Sequence, residues 1–376
     1  MNVLFYDDSP IFGGHEVMTL LGVKKILTDA TQPIYFFVST ANTKLVAELE
    51  DLARQWPALQ IELLPWHSSK LEALRNRVLR KRIHELALRF ERVQPRLIIA
   101  VQGNIEHSSL ALLAAKKAGL PSTSYIPVPH THEEMGAKFG RIRDLLCRYL
   151  FRIPDSFTTI TDEMAAILKR RGATCPIHIV YNGVDTTRFQ PGDQHTAGEA
   201  LGLPKDRVTL GMVGRLEFKQ KQQDLLARAI ASKTSLRENC HLVFAGDGPD
   251  RDNLQILLKD LGISATLLPW TDPASLYPAL NALIIPSRYE GLPLVMLEAL
   301  ACEIAVLASD RDGMKDILPA AWRFESNDFS AMAAVIEKFI REGKQNLSDQ
   351  LANRIREQMS LETFGNSFSS TVFKLA

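Results

Sequence analysis

Short runs of β-branched and aromatic residues alternate along the chain with longer segments whose apolar positions recur at helical spacing. In the first half the runs are NVLFY (2–6), PIYFFVS (33–39), QIELLP (60–65), RLIIAV (96–101), TSYIPV (123–128), SFTTIT (156–161) and IHIVYN (177–182). In the second half they are VTLGMVG (208–214), HLVFAG (241–246), ATLLP (265–269), ALIIPS (282–287) and AVLASD (305–310). Runs apolar at nearly every position predict strands covered on both faces, and the helical segments between them predict crossover connections. The pattern is that of two parallel, doubly wound α/β sheets. Between the two sets lies DTTRFQPGDQHTAGEALGLPKD (185–206), rich in Gly, Pro, Thr and charge, which predicts an interdomain linker. The expected domains are residues 1–186 and 187–358.

Length agrees, since 376 residues exceed what one ordinary core organises. With 46% apolar and 23% charged residues the composition is that of a globular protein. No apolar stretch is long enough for a transmembrane helix, and MNVLFYDDSP turns acidic too early for a signal peptide. Cys147, Cys175, Cys240 and Cys302 form no CxxC pair, which argues against a zinc site or a disulfide framework. A cytoplasmic protein is expected. Residues 1–190 carry 24 Lys+Arg against 19 Asp+Glu, leaving 20 against 24 for the rest, and neither balance predicts a nucleic-acid partner.

In doubly wound sheets ligands bind beyond the carboxyl ends of the strands, so the loops there hold the candidate chemistry. Phe12-Gly-Gly-His-Glu16 follows the first strand; Gly13 and Gly14 let backbone approach a ligand, and the helix behind them favours an anion. A tight strand-to-helix turn would look the same. Gly214-Arg-Leu-Glu-Phe-Lys-Gln-Lys221 places Arg215, with Lys219 and Lys221, at a strand end where a diphosphate could sit. After Ser287, Glu290-Gly-Leu-Pro293 turns into the helix LVMLEALA, with Pro293 expected as its first residue and the first-turn amides free for a negative group. Glu290 and Glu298 interrupt an otherwise apolar segment, and a buried carboxylate needs a partner. One could hold a ribose and the other sugar hydroxyls of the same elongated ligand. Pro127-Val-Pro-His-Thr-His-Glu-Glu134 puts His130 and His132 at another strand end, and His107 follows Gly103 in a similar loop. His-x-His could chelate, but no third ligand stands at a recognisable spacing, so these histidines read as hydrogen-bonding groups and no metal is expected. Asp250-Arg-Asp252 and Asp310-Arg-Asp312 are explained by charged-loop composition.

Taken in order, these loops resemble those of the family 4 retaining glycosyltransferases, which have the GT-B fold. The matching stretches are GGHE, Asn182-Gly-Val-Asp185 with Phe189 and Pro191, VGRL (213–216) with Lys221, FAGDGP (244–249), and PSRYEGLPLVMLEALAC (286–302) with its Glu-x7-Glu pattern. The resemblance implies two Rossmann-like domains facing across a cleft, an N-terminal acceptor-binding one and a C-terminal nucleotide-sugar-binding one. Residues 359–376 would form a helix crossing back to the first domain. It implies that Arg215 and Lys221 neutralise the departing diphosphate, with Gly13, Gly14, Gly214, Gly291, Leu292 and Pro293 around the donor. Glu298 would hold the ribose, Glu290 the transferred sugar, and His130 the reacting centre, with His107 and His132 as acceptor-side candidates. Transfer with retention, without metal or other cofactor, from a UDP- or GDP-sugar to a glycan or lipid-linked acceptor is implied. Cell-surface polysaccharide, lipopolysaccharide or glycolipid assembly is the expected setting. Three positions depart from the family pattern: Gln222 and Glu303 stand where Gly is usual, and Asp312 replaces the first residue of a frequent Gly-Gly pair. Other readings of the same residues are a nucleotide-sugar epimerase of this fold and a non-catalytic nucleotide-sugar-binding protein.

Lys70 to Arg96 contains nine Lys+Arg against three Glu, with Leu74, Val78, Leu86 and Phe90 in helical register, and KFGRIRDLLCRYLFR (138–152) is similarly basic and aromatic. Such helices can rest on anionic lipid, which predicts peripheral contact at the inner face of the cytoplasmic membrane; a charged face over a core-packing stripe has the same pattern.

Overall fold

The computed structural model describes residues 2–343 and 347–376, and the chain forms two compact units: 1–182 with 362–376, and 183–361. The first holds a seven-stranded parallel sheet of β1 (Val3–Asp7), β2 (Ile34–Ser39), β3 (Leu59–Leu64), β4 (Leu97–Val101), β5 (Ser122–Tyr125), β6 (Ser156–Thr159) and β7 (Ile177–Ile179). The second holds six parallel strands: β8 (Val208–Val213), β9 (Cys240–Ala245), β10 (Ala265–Leu268), β11 (Ala282–Ile285), β12 (Ala305–Ser309) and β13 (Arg323–Phe324). All twelve apolar runs are strands, and the central ones are buried at every position, as in β1, β4, β9, β11 and β12. β13 went unpredicted because two residues make no run. β5 stops at Tyr125, short of the expected Val128, because Pro127 and Pro129 cannot donate to the ladder.

The orders are β3-β2-β1-β4-β5-β6-β7 and β10-β9-β8-β11-β12-β13. In each sheet the chain first winds one way from the central strand and then returns to the other side of it. The reversal lies between β1 and β4 in one unit and between β8 and β11 in the other. Connections leave such a point on opposite faces and open a crevice at the strands' carboxyl ends.

The segment 185–206 is not a free linker but part of the second unit. Phe189 is buried against Tyr277, with ring centroids 6.0 Å apart, and Leu203 is buried too. Asp193 caps the helix Gln194–Ala200 by accepting the Thr196 N–H at 2.8 Å. The chain enters and leaves this unit side by side: Val184 N–H donates to Met359 O at 2.8 Å and Leu361 N–H to Val184 O at 3.0 Å. The helix Leu361–Leu375 then lies on the first unit, where Phe368 packs against Phe5 and, edge-on, Tyr125. Gly22 makes room for it, since a Cβ there would fall 2.5 Å from the Phe368 ring.

The basic segment 70–96 is two helices, Glu72–Val78 and Arg80–Val93, broken at Leu79. The break divides the expected stripe. Leu86 and Phe90 are in the core, whereas Leu74 and Val78 are exposed. No helix among the described residues is long and apolar enough to cross a membrane.

Candidate functional site

In the second unit the loops after β8 and β11, on either side of the reversal, carry the expected donor groups. β8 ends at Val213, and Gly214 turns the chain with φ +131°. Beside it, Gly246 after β9 approaches so closely that a Cβ would lie 2.1 Å from Gly214 O. Leu216 N–H donates to Asp247 O at 2.9 Å and Phe218 N–H to the Asp250 carboxylate at 2.8 Å, so the second half of FAGDGP fixes the phosphate-type loop. Asp250 is therefore a loop brace. Arg215 projects outward, its side chain 62% exposed, with Glu217 4.0 Å away.

Lys221 closes the short helix Phe218–Lys221 and points at the β11 loop, where its Nζ donates to Glu290 Oε1 at 2.6 Å. The groups assigned to the diphosphate and to the sugar are thus an ion pair. Two further bonds tie the segments, Arg288 N–H to Gln220 O at 2.8 Å and Gln220 Nε2 to Tyr289 O at 3.3 Å. Glu290 N–H donates to Asp312 Oδ2 at 2.9 Å, the oxygen that also accepts from Arg311 Nε at 3.1 Å. Asp312 is a site residue the sequence reading missed; its DxD context pointed only to charged-loop composition.

Pro293 caps the next helix rather than starting it. Its ψ of 123° is extended, and the helix runs Leu294–Ala301. Gly291, Leu292 and Pro293 are all buried ahead of it. Glu298, largely buried one turn in, accepts from Tyr277 Oη at 2.7 Å through Oε2. Burial pushes its carboxyl up from the usual range, against the Tyr277 hydrogen bond and the Arg188 charge. Nothing among the described residues bonds its other oxygen. Tyr277 could be found only in three dimensions, being 21 residues away with no motif to mark it.

All three departures from the family pattern fall where the backbone is left-handed: Gln222 at φ +56°, Glu303 at +61° and Asp312 at +52°. That conformation costs a side-chain-bearing residue about 1–2 kcal/mol, which explains why glycine is usual there. Here each side chain makes a bond that glycine could not. Gln222 Nε2 donates to Asn327 Oδ1 at 2.6 Å, Glu303 accepts from Arg356 at 3.0 Å, and Asp312 holds the Glu290 amide. Arg356 also donates to Ala301 O at 2.9 Å, placing a cation at the carboxyl end of the Glu298 helix.

In the first unit the loops after β1 and β4 flank the corresponding reversal. Gly13 precedes the helix Gly14–Asp29, and its N–H donates to Glu16 Oε2 at 2.7 Å, so the third helical residue latches the glycine turn. Gly14 is exposed. His107 is half-buried after β4; burial, and next to it the charge of His15, lowers its pKa to about 4. His130 is buried at 2% exposure.

His132 is buried in an ion-pair network. Its ring is held between Asp144 Oδ1 and Glu106 Oε2, each 3.1 Å away, and Arg143 and Arg171 complete the network by pairing with Glu106 and Asp144. Burial alone would lower its pKa, but the bonds to Asp144 and Glu106 outweigh it and raise it. Burial likewise opposes ionisation of both carboxylates, yet His132 and Arg143 hold Glu106, and His132 holds Asp144, down at about 2. Such a charge-compensated cluster fixes the loop that carries His130. Its partners lie far apart in sequence and share no motif.

Models of known families match most of the chain in two pieces. Residues 38–188 match "Glycosyltransferase Family 4", and residues 193–358 match "Glycosyl transferases group 1". The D-inositol 3-phosphate glycosyltransferase of Mycobacterium tuberculosis is 37% identical over 165 residues, which is 41% of this chain and 33% of that protein. The chain therefore aligns with only a third of the length of such curated relatives. Among solved structures, HepE of Anabaena in complex with UDP superposes over the full length of both chains with a TM-score of 0.79 at 16% identity, and its UDP-glucose complex scores 0.76. The lipopolysaccharide outer core galactosyltransferase WaaB also matches over both full chains, with a TM-score of 0.76 at 19% identity. With both sheets parallel, both family models matched in order and full-length GT-B structures superposed, the chain belongs to glycosyltransferase family 4 and has the GT-B fold.

Proposed function

We propose that this protein transfers a sugar, with retention at the anomeric carbon, from a nucleotide-diphosphate donor to a glycan or lipid-linked acceptor in cell-surface polysaccharide, lipopolysaccharide or glycolipid assembly. The observation that carries the reading is the Lys221–Glu290 ion pair formed between loops flanking one sheet reversal, with Glu298 on the helix that follows the second loop. Arg215 and Lys221 neutralise the departing diphosphate, Glu290 accepts from hydroxyls of the transferred sugar, and Glu298 accepts from the ribose through the oxygen Tyr277 leaves open. In the second unit the amides of Gly214, Gly291 and Leu292 complete the donor contacts; in the first, His130 and the amides of Gly13 and Gly14 are the groups proposed to bind substrate. Rate enhancement comes from positioning and from cations preorganised where negative charge develops, with no metal at the phosphates. UDP is the favoured carrier, since HepE binds UDP and UDP-glucose. Incubation with UDP-, GDP- and ADP-sugars, with donor hydrolysis and product anomer read by NMR, tests the reading. No turnover of any donor, or an inverted product, would overturn it.

The membrane expectation is supported by where apolar side chains lie exposed. Leu74, Val78, Phe139, Ile142 and Leu145 come from the adjacent helices Glu72–Val78 and Gly140–Cys147 and their flanks, among Lys70, Arg75, Arg77, Lys138 and Arg141. The helix Arg80–Val93 contributes less, since Arg82 pairs with Glu72, and Arg89 with Glu62 and Glu85. Apolar groups ringed by cations suit an anionic bilayer. Flotation with phosphatidylglycerol vesicles should be lost in Val78→Glu/Leu145→Glu, and equal flotation of that variant would refute the contact.

A further inference from the structure

A second chemical cluster lies at the reversal of the first sheet, made of groups the transfer reading does not use as ligands. Asp7 ends β1 and is fully buried; its Oδ1 accepts the Ser9 N–H at 2.8 Å, while Oδ2 is buried with no hydrogen bond. Glu16, also fully buried, gives Oε2 to the Gly13 N–H and turns Oε1 to His15 Nε2, 3.0 Å away. Ligand atoms of Asp7, His15 and Glu16 all lie within 4.8 Å of one another. His107, from the loop after β4, stands outside that group, its Nδ1 buried without a hydrogen bond. The two rings meet over Gly103, where a Cβ would stand 3.1 Å from His15 Nε2 and 3.4 Å from His107 Nδ1.

Two carboxylate oxygens and one imidazole nitrogen thus converge, and no Lys or Arg pairs with either carboxylate among the described residues. Asp7 Oδ2 and Glu16 Oε1 are buried with no hydrogen-bond donor, a lack that is costly in a dry interior. A divalent cation removes it. In each carboxylate a backbone amide holds the second oxygen, which is how outer contacts orient a ligand. The other comparable group, Glu106, His132 and Cys147, differs in kind, because Arg143 already supplies the cation.

We propose that Asp7, His15 and Glu16 bind one divalent first-row transition-metal cation. Mixed imidazole and carboxylate donors of this number suit Zn2+ and its neighbours better than Mg2+ or Ca2+. The cation fixes Glu16 and, through Oε2, the Gly13 turn. It takes no part in neutralising the diphosphate, which the reading above assigns to Arg215 and Lys221.

The test is metal content, which is independent of sugar transfer. The full chain, stripped with chelator and dialysed against Zn2+, is expected to retain one equivalent by mass spectrometry, and Co2+ should give the visible bands of a four- or five-coordinate site. His15→Gln and Asp7→Asn, which keep the size of the side chains, should each weaken Zn2+ binding by more than about a hundredfold, beyond what loss of a supporting hydrogen bond costs. His195→Gln, an exposed histidine of the second unit, should bind as the parent does. Circular dichroism establishes that the variants are folded. Failure of the parent chain to retain Zn2+, or full retention in both folded variants, would overturn the site and leave a cluster that holds protons only.

Discussion

Replacing Lys221 by Met keeps the alkyl stem and removes the charge. The ammonium and the Glu290 carboxylate have side chains 24% and 11% exposed, so their electrostatics belong to an effective dielectric nearer 20 than 80. At that value a unit charge about 4 Å from a phosphoryl oxygen is worth roughly 4 kcal/mol. In the resting protein Lys221 already gains a comparable amount from Glu290 at 2.6 Å, so donor binding exchanges one partner for another and changes ground-state affinity little. The gain appears as charge accumulates on the leaving diphosphate, which places the loss in kcat rather than KM. A preorganised donor of this kind is worth about 100- to 1000-fold in kcat. The variant also leaves the mostly buried Glu290 carboxylate without its cation, lowering stability by about 1–3 kcal/mol. Adding Glu290→Gln should restore most of that stability and none of the rate. Initial rates at saturating donor, followed by nucleotide release, and urea unfolding of the single and double variants separate the two effects. A folded Lys221→Met enzyme with kcat within tenfold of the parent would refute the assignment.

Gln222→Gly should raise stability by about 0.5–1 kcal/mol, because relief of the left-handed backbone exceeds the loss of one exposed bond to Asn327; equilibrium unfolding checks this, and a fall in stability would mean that the bond outweighs the strain. The folded-state pKa of His132 is raised, so its pairing stabilises fully below the unfolded value and is lost as pH rises through the folded one; Glu106 and Asp144, held near 2, contribute above their unfolded range and lose their share as pH falls toward 2. Melting temperature should therefore decline on the alkaline side in the parent and lack that component in His132→Gln, and parallel pH profiles would contradict the pairing. Glu298→Gln should raise the donor KM about tenfold, the worth of one charge-assisted bond, whereas an equal fall in kcat and kcat/KM would move Glu298 to the reacting centre. Adding Mg2+ or Mn2+ should leave the initial transfer rate unchanged, and strong activation by either would contradict a diphosphate held by Arg215 and Lys221.

The twelve longer strands were legible because burial on both faces leaves an apolar run that no amphipathic helix imitates. Lys221, Glu290 and Glu298 were legible because charge inside such surroundings has to be explained. What the sequence withheld was pairing across distance. Tyr277 with Glu298 and Glu106 with His132 meet only because successive parallel strands deliver their connections to one edge, and no local spacing records that. The pairing of His132 was hidden for the same reason, since the carboxylates that hold it come from a different loop and a different helix. The left-handed backbone at Gln222, Glu303 and Asp312 was likewise hidden, glycine being the usual signal for it.

The helix Leu361–Leu375 has a consequence for how the protein is made. Phe368 fills the space between Phe5 and Tyr125 above Gly22, so the core of the first unit includes residues synthesised after the whole of the second. During translation the second unit's sequence is made in full while the first still lacks a wall. The usual order, in which the N-terminal domain folds first, is therefore inverted for completion if not for initiation. A nascent chain arrested before Phe364 should expose the Phe5 and Tyr125 surface to chaperones, whatever the state of the domain that follows it.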